Sequence, residues 1–260
     1  MSDNQPVIKE QEILLREVPL GSNPKKSTGK FRRPPSNRQS SVRPVTHYDA
    51  QNIGKRETDH IPDLKDGDIR IIHLGGVEEI GRNMSLVEYK DTIIVIDCGV
   101  QFTETNTPGI DFILPNTRYL EEHKHKIKGV LVTHGHLDHI GSFPYIMPRI
   151  GNPPVYARLF TSLMIRKRQD KIPNLLPLDL TVVEKETSVT LGDLTIEFFG
   201  IKKESPSEVG VIIKTPYGDI VHNGTLKLNN KNAIPTEDEE IRYKTFEDSN
   251  TLLLMADSTS

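Results

Sequence analysis

One short stretch of the sequence concentrates residue types that bind metal ions and support hydrolysis. It reads His134-Gly135-His136-Leu137-Asp138-His139. Imidazole and carboxylate groups are natural ligands of zinc and similar divalent ions. His134 and His136 can point to the same side of a loop, and Asp138 and His139 can face a second ion a few ångströms away. Two adjacent ions suit hydrolysis of a phosphodiester. They activate water, and they stabilise the charge on the attacking oxygen and on the leaving oxygen, which lie in line with each other.

The surrounding patterns predict the elements that position this motif. The apolar run 128–133 predicts a buried strand that leads directly into His134, and a helix is expected over 139–148. Upstream, a strand at 69–74 precedes a hairpin at 84–97. Further helices are expected at 116–123 and 158–169, and further strands at 155–156, 181–184, 194–199, 209–214, 219–222 and 251–255, the last of them buried. Two packed sheets covered by helices fit this order better than a doubly wound parallel sheet.

Other titratable residues carry weaker signals. His73 and His222 lie in or at the ends of predicted strands and are expected to be packed rather than to bind metal. His123 and His125 lie among charged residues and are expected on the surface. Cys98 follows an apolar run, which favours a small buried side chain over a reactive thiol.

The N-terminal part of the chain differs in composition from the rest. Residues 1–67 carry 12 Lys and Arg against 9 Asp and Glu, whereas residues 68–260 carry 21 against 27. The segment 22–47 has no acidic residue, contains four prolines and offers little to pack, which predicts a disordered basic arm. Its bases are Lys25, Lys26, Lys30, Arg32, Arg33, Arg38 and Arg43. They would suit contacts with the phosphates of a nucleic acid, but a solvated tail explains the charge equally well.

Length and composition limit the possible classes of protein. Residues 68–260, of 260 in total, are long and apolar enough to bury a core, whereas residues 1–67 are not. No apolar run approaches the length of a membrane span, and the N-terminus lacks the pattern of a secretory signal. With Cys98 as the single cysteine, no intrachain disulfide can form. These features favour a cytoplasmic protein without membrane contact.

Several motifs resemble the metallo-β-lactamase superfamily and, within it, ribonuclease J. The superfamily signature His-x-His-x-Asp-His matches residues 134–139, and its strand-end aspartate matches Asp97. The segments similar to ribonuclease J are 74–83, 109–112, 115–120, 215–222 and 257–259. The resemblance covers about residues 69–260 and leaves the basic arm outside.

This resemblance implies an α/β fold, the αββα sandwich of the metallo-β-lactamases, and hydrolysis of RNA by a family that contains 5′–3′ exonucleases and endonucleases. It also implies a site for two zinc ions. His134 and His136 would bind the first ion, Asp138 and His139 would bind the second, and Asp97 would be a supporting residue that orients the site.

Three departures from the family pattern modify that expectation. The family has a ligand histidine at the position of Lys203 and a bridging aspartate at the position of Thr225. The chain ends at Ser260, where the β-CASP domain would begin, so the sandwich is expected to be incomplete. Lys203 would place a cation beside the metal and Thr225 would remove a shared anion, so weak or partial zinc binding and little RNA cleavage are predicted.

Three hypotheses follow for the function of residues 68–260. The first is a ribonuclease J-like hydrolase, either a fragment of a longer enzyme or a degraded paralogue. It is expected to form a homo-oligomer or to pair with a missing C-terminal half that is supplied elsewhere. The second is an inactive module on the same fold that binds RNA or a partner protein. The third is another hydrolase of the superfamily, against which the segment 75–83 argues.

Overall fold

A computed structural model of the chain describes residues 61–103, 109–200, 207–225 and 250–257. These residues form two larger β-sheets, a two-stranded ribbon and a layer of short helices. The strands are β1 (Ile69–Gly75), β2 (Met84–Tyr89), β3 (Thr92–Ile96), β4 (Gln101–Phe102), β5 (Phe112–Ile113), β6 (Ile127–Leu131), β7 (Val155–Ala157), β8 (Leu180–Val182), β9 (Ser188–Leu191), β10 (Leu194–Gly200), β11 (Val209–Thr215), β12 (Gly218–Thr225) and β13 (Thr251–Asp257). The α-helices are α1 (Arg118–Glu122), α2 (Leu137–Ile140), α3 (Phe143–Ile146) and α4 (Leu159–Gln169).

The first sheet contains six strands in the order β1-β2-β3-β6-β7-β8. Its first three strands are antiparallel, and β3, β6, β7 and β8 are parallel. Because β3 and β6 are parallel neighbours, their carboxyl ends lie at the same edge of the sheet. This arrangement brings Asp97, after β3, close to Thr133 and His134, after β6.

The second sheet contains five strands in the order β13-β12-β11-β10-β9. Strands β9 to β12 are antiparallel, whereas β13 pairs with β12 in parallel. Asp257 at the end of β13 is the register partner of Thr225 on β12. The backbone N–H of Val209 donates to the carbonyl of Thr133 at 2.9 Å, which joins the second sheet to the motif loop.

Two apolar clusters hold these layers together. On β3, Ile93 and Val95 belong to the cluster beneath the helices, whereas Ile94 and Ile96 belong to the cluster between the two sheets. This alternation follows from the two-residue period of a strand, and both faces of β3 are buried. All four described α-helices contribute to the first cluster, so the described residues form a helix layer and the two sheets of the expected sandwich.

Most of the predicted elements are present, but the helix expected at 139–148 is broken. It consists of α2 and α3, separated by Gly141 and Ser142. Pro144 lies at the start of α3 and has no backbone N–H, so a continuous helix would lose a hydrogen bond there. The short strands β4, β5 and β9 were not predicted.

The prediction that strand 251–255 is buried is wrong. Leu252 and Leu254 expose 54% and 55% of their surface because β13 is the edge strand of the second sheet. The predicted basic arm, with the seven bases between Lys25 and Arg43, lies outside the described residues.

Among the described residues, no helix combines the length and the apolar character needed to cross a bilayer.

Candidate metal centre

The motif residues lie on a loop and a short helix that are fixed by backbone hydrogen bonds from neighbouring segments. Helix α2 has only four residues, too few to be stable alone. Each of its first three carbonyls accepts a hydrogen bond from an N–H on the loops that follow β1 and β3. These bonds run from Val100 to Leu137 at 3.1 Å, from Asn83 to Asp138 at 3.0 Å and from Cys98 to His139 at 2.7 Å. The helix therefore has one position relative to the two sheets.

His134 and His136 form the first group of possible ligands. Nε2 of His134 lies 3.1 Å from Nδ1 of His136, so the two ring nitrogens converge on one side of the loop. His134 is buried, whereas His136 is exposed. The pair therefore offers a metal ion one nitrogen on a buried side chain and one on a side chain that is accessible to solvent.

Asp138, His139 and Asp257 form the second group. Nε2 of His139 lies 3.4 Å from Oδ2 of Asp138 and 3.1 Å from Oδ2 of Asp257, and one donor atom from each residue lies within 4.8 Å of the others. The rings of His134 and His139 have centroids 4.0 Å apart, so the two groups are adjacent. Together they place three imidazoles and two carboxylates at the carboxyl ends of strands.

Asp97 is a buried carboxylate that organises both groups. Its Oδ2 accepts a hydrogen bond from Nδ1 of His139 at 2.8 Å, and its Oδ1 accepts one from the backbone N–H of Thr133 at 2.9 Å. Asp97 adopts a φ of +61°, an uncommon value for a residue other than glycine. Such strain persists only where the surrounding contacts impose it, as in functional sites.

The hydroxyl of Thr133 fixes the tautomer of His134. It lies 2.9 Å from Oδ2 of Asp97 and 3.0 Å from Nδ1 of His134. Because the hydroxyl donates its single proton to the carboxylate, it accepts a hydrogen bond from Nδ1–H of His134. The lone pair of Nε2 then faces the other donors, as binding of a metal by this nitrogen requires.

Burial and charge act differently on the two buried histidines. Burial lowers the pKa of His134 to about 4, so this ring is neutral at pH 7. Burial alone would also lower the pKa of His139, but the charge of Asp97 and the hydrogen bonds with Asp138 and Asp257 outweigh it and hold that pKa well above its usual value. Metal binding at Nε2 of His139 would therefore release a proton.

A cavity of about 310 Å³ lies beside the second group and is lined by His139, Asp97 and Asp257. His73 and His222 also line it. His222 is buried as predicted. His73 is exposed rather than packed, and its Nδ1 lies 2.9 Å from the hydroxyl of Ser85. The exposure arises because β1 is an edge strand of the first sheet.

The structure brings together the five site residues named from the motif and the strand-end aspartate: His134, His136, Asp138, His139 and Asp97. Lys203 and the seven basic residues of the arm lie outside the described residues. Thr225 is the last residue of β12.

The sequence pattern did not predict a role for Asp257. The sequence does contain a pattern that could have identified it. Like Asp97, Asp257 is a carboxylate at the end of an apolar strand. The chemistry of the assembled donors, with imidazoles and carboxylates at 3.1–3.4 Å, fits a divalent metal ion.

Comparisons with known proteins agree with this geometry. A family model described as the metallo-beta-lactamase superfamily matches residues 77–240. Ribonuclease J of Corynebacterium glutamicum is 34% identical over 195 residues, which is 74% of this chain and 26% of that protein. Ribonuclease J of Thermus thermophilus is 37% identical over 168 residues, which is 62% of this chain and 29% of that protein. The chain thus spans less than a third of the length of these two curated relatives.

A solved structure supports the fold alone. A protein of unknown function from Enterococcus faecalis V583 superposes with a TM-score of 0.53 at 20% identity, over 71% of this chain and 48% of that one. The motif, the strand-end aspartate and the family match over most of the described residues lead to one assignment. The chain belongs to the metallo-β-lactamase superfamily, and within it this chain is similar to ribonuclease J.

Proposed function

We propose that this chain carries the metal centre of a ribonuclease J-like hydrolase that uses zinc and acts on RNA phosphodiester bonds. The observation that carries the proposal is the clustering of His134 with His136 and of Asp138 with His139, whose ring nitrogen Nδ1 is hydrogen-bonded to the buried carboxylate of Asp97. RNA as substrate rests on the similarity to ribonuclease J.

Zinc is the metal that this donor set favours. In tetrahedral sites with Zn–N and Zn–O distances of about 2.0–2.2 Å, neighbouring ligand atoms are about 3.3–3.6 Å apart. The 3.1 Å separation in the His134–His136 pair and the 3.4 Å separation between His139 and Asp138 are close to this value. Nitrogen-rich sets of this kind suit zinc better than magnesium or calcium, which prefer oxygen ligands.

Different residues of the site have different proposed roles. Asp97 and Thr133 hold the two buried imidazoles in orientations that turn both Nε2 atoms toward the site. His136, which is exposed, lies at the side open to solvent. When bound, the metal would supply positive charge to stabilise the transition state and to activate water.

The basic arm is proposed to hold the RNA backbone. Its seven bases, from Lys25 to Arg43, would contact phosphates without reading the sequence. The cytoplasm is the compartment that we propose for this activity, in keeping with its substrate.

The alternative function is an RNA-binding or partner-binding module without catalysis. It is favoured by Lys203 and Thr225, which stand where the resemblance expects a ligand histidine and a bridging aspartate. The two functions share the fold and the arm but differ in their need for metal.

Zinc titration by calorimetry and cleavage of 5′-labelled RNA by the same preparation test the proposal. The variant His136→Ala removes an exposed ligand and should lower zinc affinity and any zinc-dependent cleavage together. The matched control is His125→Ala, which removes an exposed histidine in the turn after α1 and should change neither. A chain that binds RNA but shows no zinc uptake would support the alternative module.

A further inference from the structure

Asp257 ends strand β13 of the second sheet, whereas the histidine motif follows strand β6 of the first sheet. It is 118 residues from His139 in sequence, yet its Oδ2 lies 3.1 Å from Nε2 of that ring. Its side chain is 11% exposed, so it is largely withdrawn from water. A long-range contact of this kind is determined by the packing of the two sheets.

Three carboxylates surround the ring of His139. Nδ1 of His139 is bonded to Asp97, and Nε2 lies within 3.4 Å of both Asp138 and Asp257. A divalent cation can be bound by the oxygens of both carboxylates and by this ring nitrogen together. Imidazole and carboxylate groups in such proximity form a donor set that suits a divalent metal ion.

The register of the second sheet places Asp257 beside Thr225, which differs from the aspartate of the family pattern. Thr225 occupies the position at which the resemblance places a bridging aspartate, and Asp257 is its partner across the parallel pair β12–β13. Neighbouring strands lie about 4.8 Å apart. A carboxylate on β13 is therefore one strand away from the position where the family carries it.

We propose that Asp257 is a metal ligand that, with Asp138 and His139, binds a divalent cation and replaces the carboxylate that is missing at position 225. The three donor atoms lie within 4.8 Å of one another, two on helix α2 and one on strand β13, and form the geometric basis of this assignment. The inference rests on the metal-binding part of the proposed function and does not depend on RNA cleavage.

Zinc affinity measured by calorimetry on the full chain tests the assignment. Asp257→Asn keeps an oxygen that can accept a hydrogen bond from His139 but removes the charge. If Asp257 is a ligand, affinity should fall by about 100-fold or more, beyond the 10–100-fold typical of residues that only orient ligands. The matched control is Asp219→Asn, which removes a buried carboxylate at the start of β12 that is paired with Lys214. This control should leave zinc affinity unchanged.

A relocation variant tests the relation between the two strands. Thr225→Asp combined with Asp257→Asn returns the carboxylate to β12 and should recover at least about tenfold in zinc affinity. Absorption of bound Co²⁺ should change in Asp257→Asn and return toward the parent spectrum in the relocation variant. Circular dichroism verifies that each variant is folded.

The outcomes separate this inference from the proposed function. If the parent chain binds zinc and Asp257→Asn binds it equally well, the inference fails and the proposed function stands. If the parent chain binds no zinc, both fail. If Asp257→Asn loses zinc affinity and the relocation variant does not recover it, then Asp257 does not replace the carboxylate that is missing at position 225.

Discussion

Oδ2 of Asp97 lies 2.8 Å from Nδ1 of His139, and this hydrogen bond determines which nitrogen of the ring faces the metal centre. The same carboxylate accepts the hydroxyl proton of Thr133, which in turn accepts the Nδ1 proton of His134. One buried anion thus orients two imidazoles on the same loop and helix. Such partners typically affect metal affinity although they do not contact the ion.

Replacing Thr133 by valine should weaken the centre without changing its shape. The variant Thr133→Val leaves Nδ1–H of His134 without its hydroxyl acceptor, which should cost about 1–3 kcal/mol of unfolding free energy. Zinc affinity should fall by about 10–100-fold, because Nε2 of His134 is no longer the enforced acceptor. Calorimetry and denaturant unfolding measure the two effects.

The control for this prediction is Thr92→Val at the start of strand β3. Thr92 is also buried, and its hydroxyl bonds only with Asp193 among the contacts described. This control should lose stability but keep the parent's zinc affinity. Equal zinc affinity in Thr133→Val and the parent would contradict the role assigned to the hydroxyl.

The sequence predicted the local part of the site well, because ligand spacing within 134–139 and the strand before it are short-range features. Asp97 was recognisable as a carboxylate at the end of an apolar strand. Asp257 carries the same local signal, but its proximity to His139 could not be predicted, because it depends on the parallel pairing of β12 with β13. The exposure of His73 and Leu254 likewise depends on which strands form the sheet edges.

Two glycines near the motif should respond in opposite ways to alanine. A Cβ on Gly99 would lie 1.5 Å from the carbonyl oxygen of Asp138, a backbone atom that cannot move alone. Gly99→Ala should therefore lower the unfolding free energy by about 3 kcal/mol or more and also reduce zinc affinity. On Gly135, inside the motif, the nearest atom to a Cβ is Cγ of Met164 at 3.6 Å.

Gly135→Ala should accordingly change stability by at most about 1 kcal/mol and leave zinc binding intact. Thermal unfolding of the two variants side by side is the measurement. A larger loss in Gly135→Ala than in Gly99→Ala would show that the packing of α2 against the loop after β3 differs from the one described.

The thiol of Cys98 should be inert in the native protein. The side chain is fully buried, and burial together with the charge of Asp97 raises its pKa far above the usual value. Only the thiolate is nucleophilic, so a disulfide reagent should modify Cys98 in denaturant but not in buffer at pH 8. Rapid modification of the native chain would contradict the packing of the loop after β3.

The basic arm should dominate the salt dependence of RNA binding. With about five to seven phosphate contacts on a single strand, log K should change with log salt at a slope of roughly −3.5 to −5. Deletion of residues 22–47 should flatten this slope, as measured by fluorescence anisotropy at several salt concentrations. The control is replacement of the segment by a Gly-Ser linker of equal length, which should behave like the deletion. An unchanged slope would make the segment a solvated tail.

Restoring the family residues at positions 203 and 225 should strengthen metal binding cooperatively. Lys203→His replaces a cation by a ligand, and Thr225→Asp adds a carboxylate beside Asp257. Because both residues would complete one shared set of ligands, their combined gain in zinc affinity should exceed the sum of the single gains by about 0.5–3 kcal/mol. Zinc titration of the parent, the two single variants and the double variant gives this coupling directly. Additive gains would mean that the two positions serve separate ions, and tight binding of two ions by the parent would mean that the described donors already suffice.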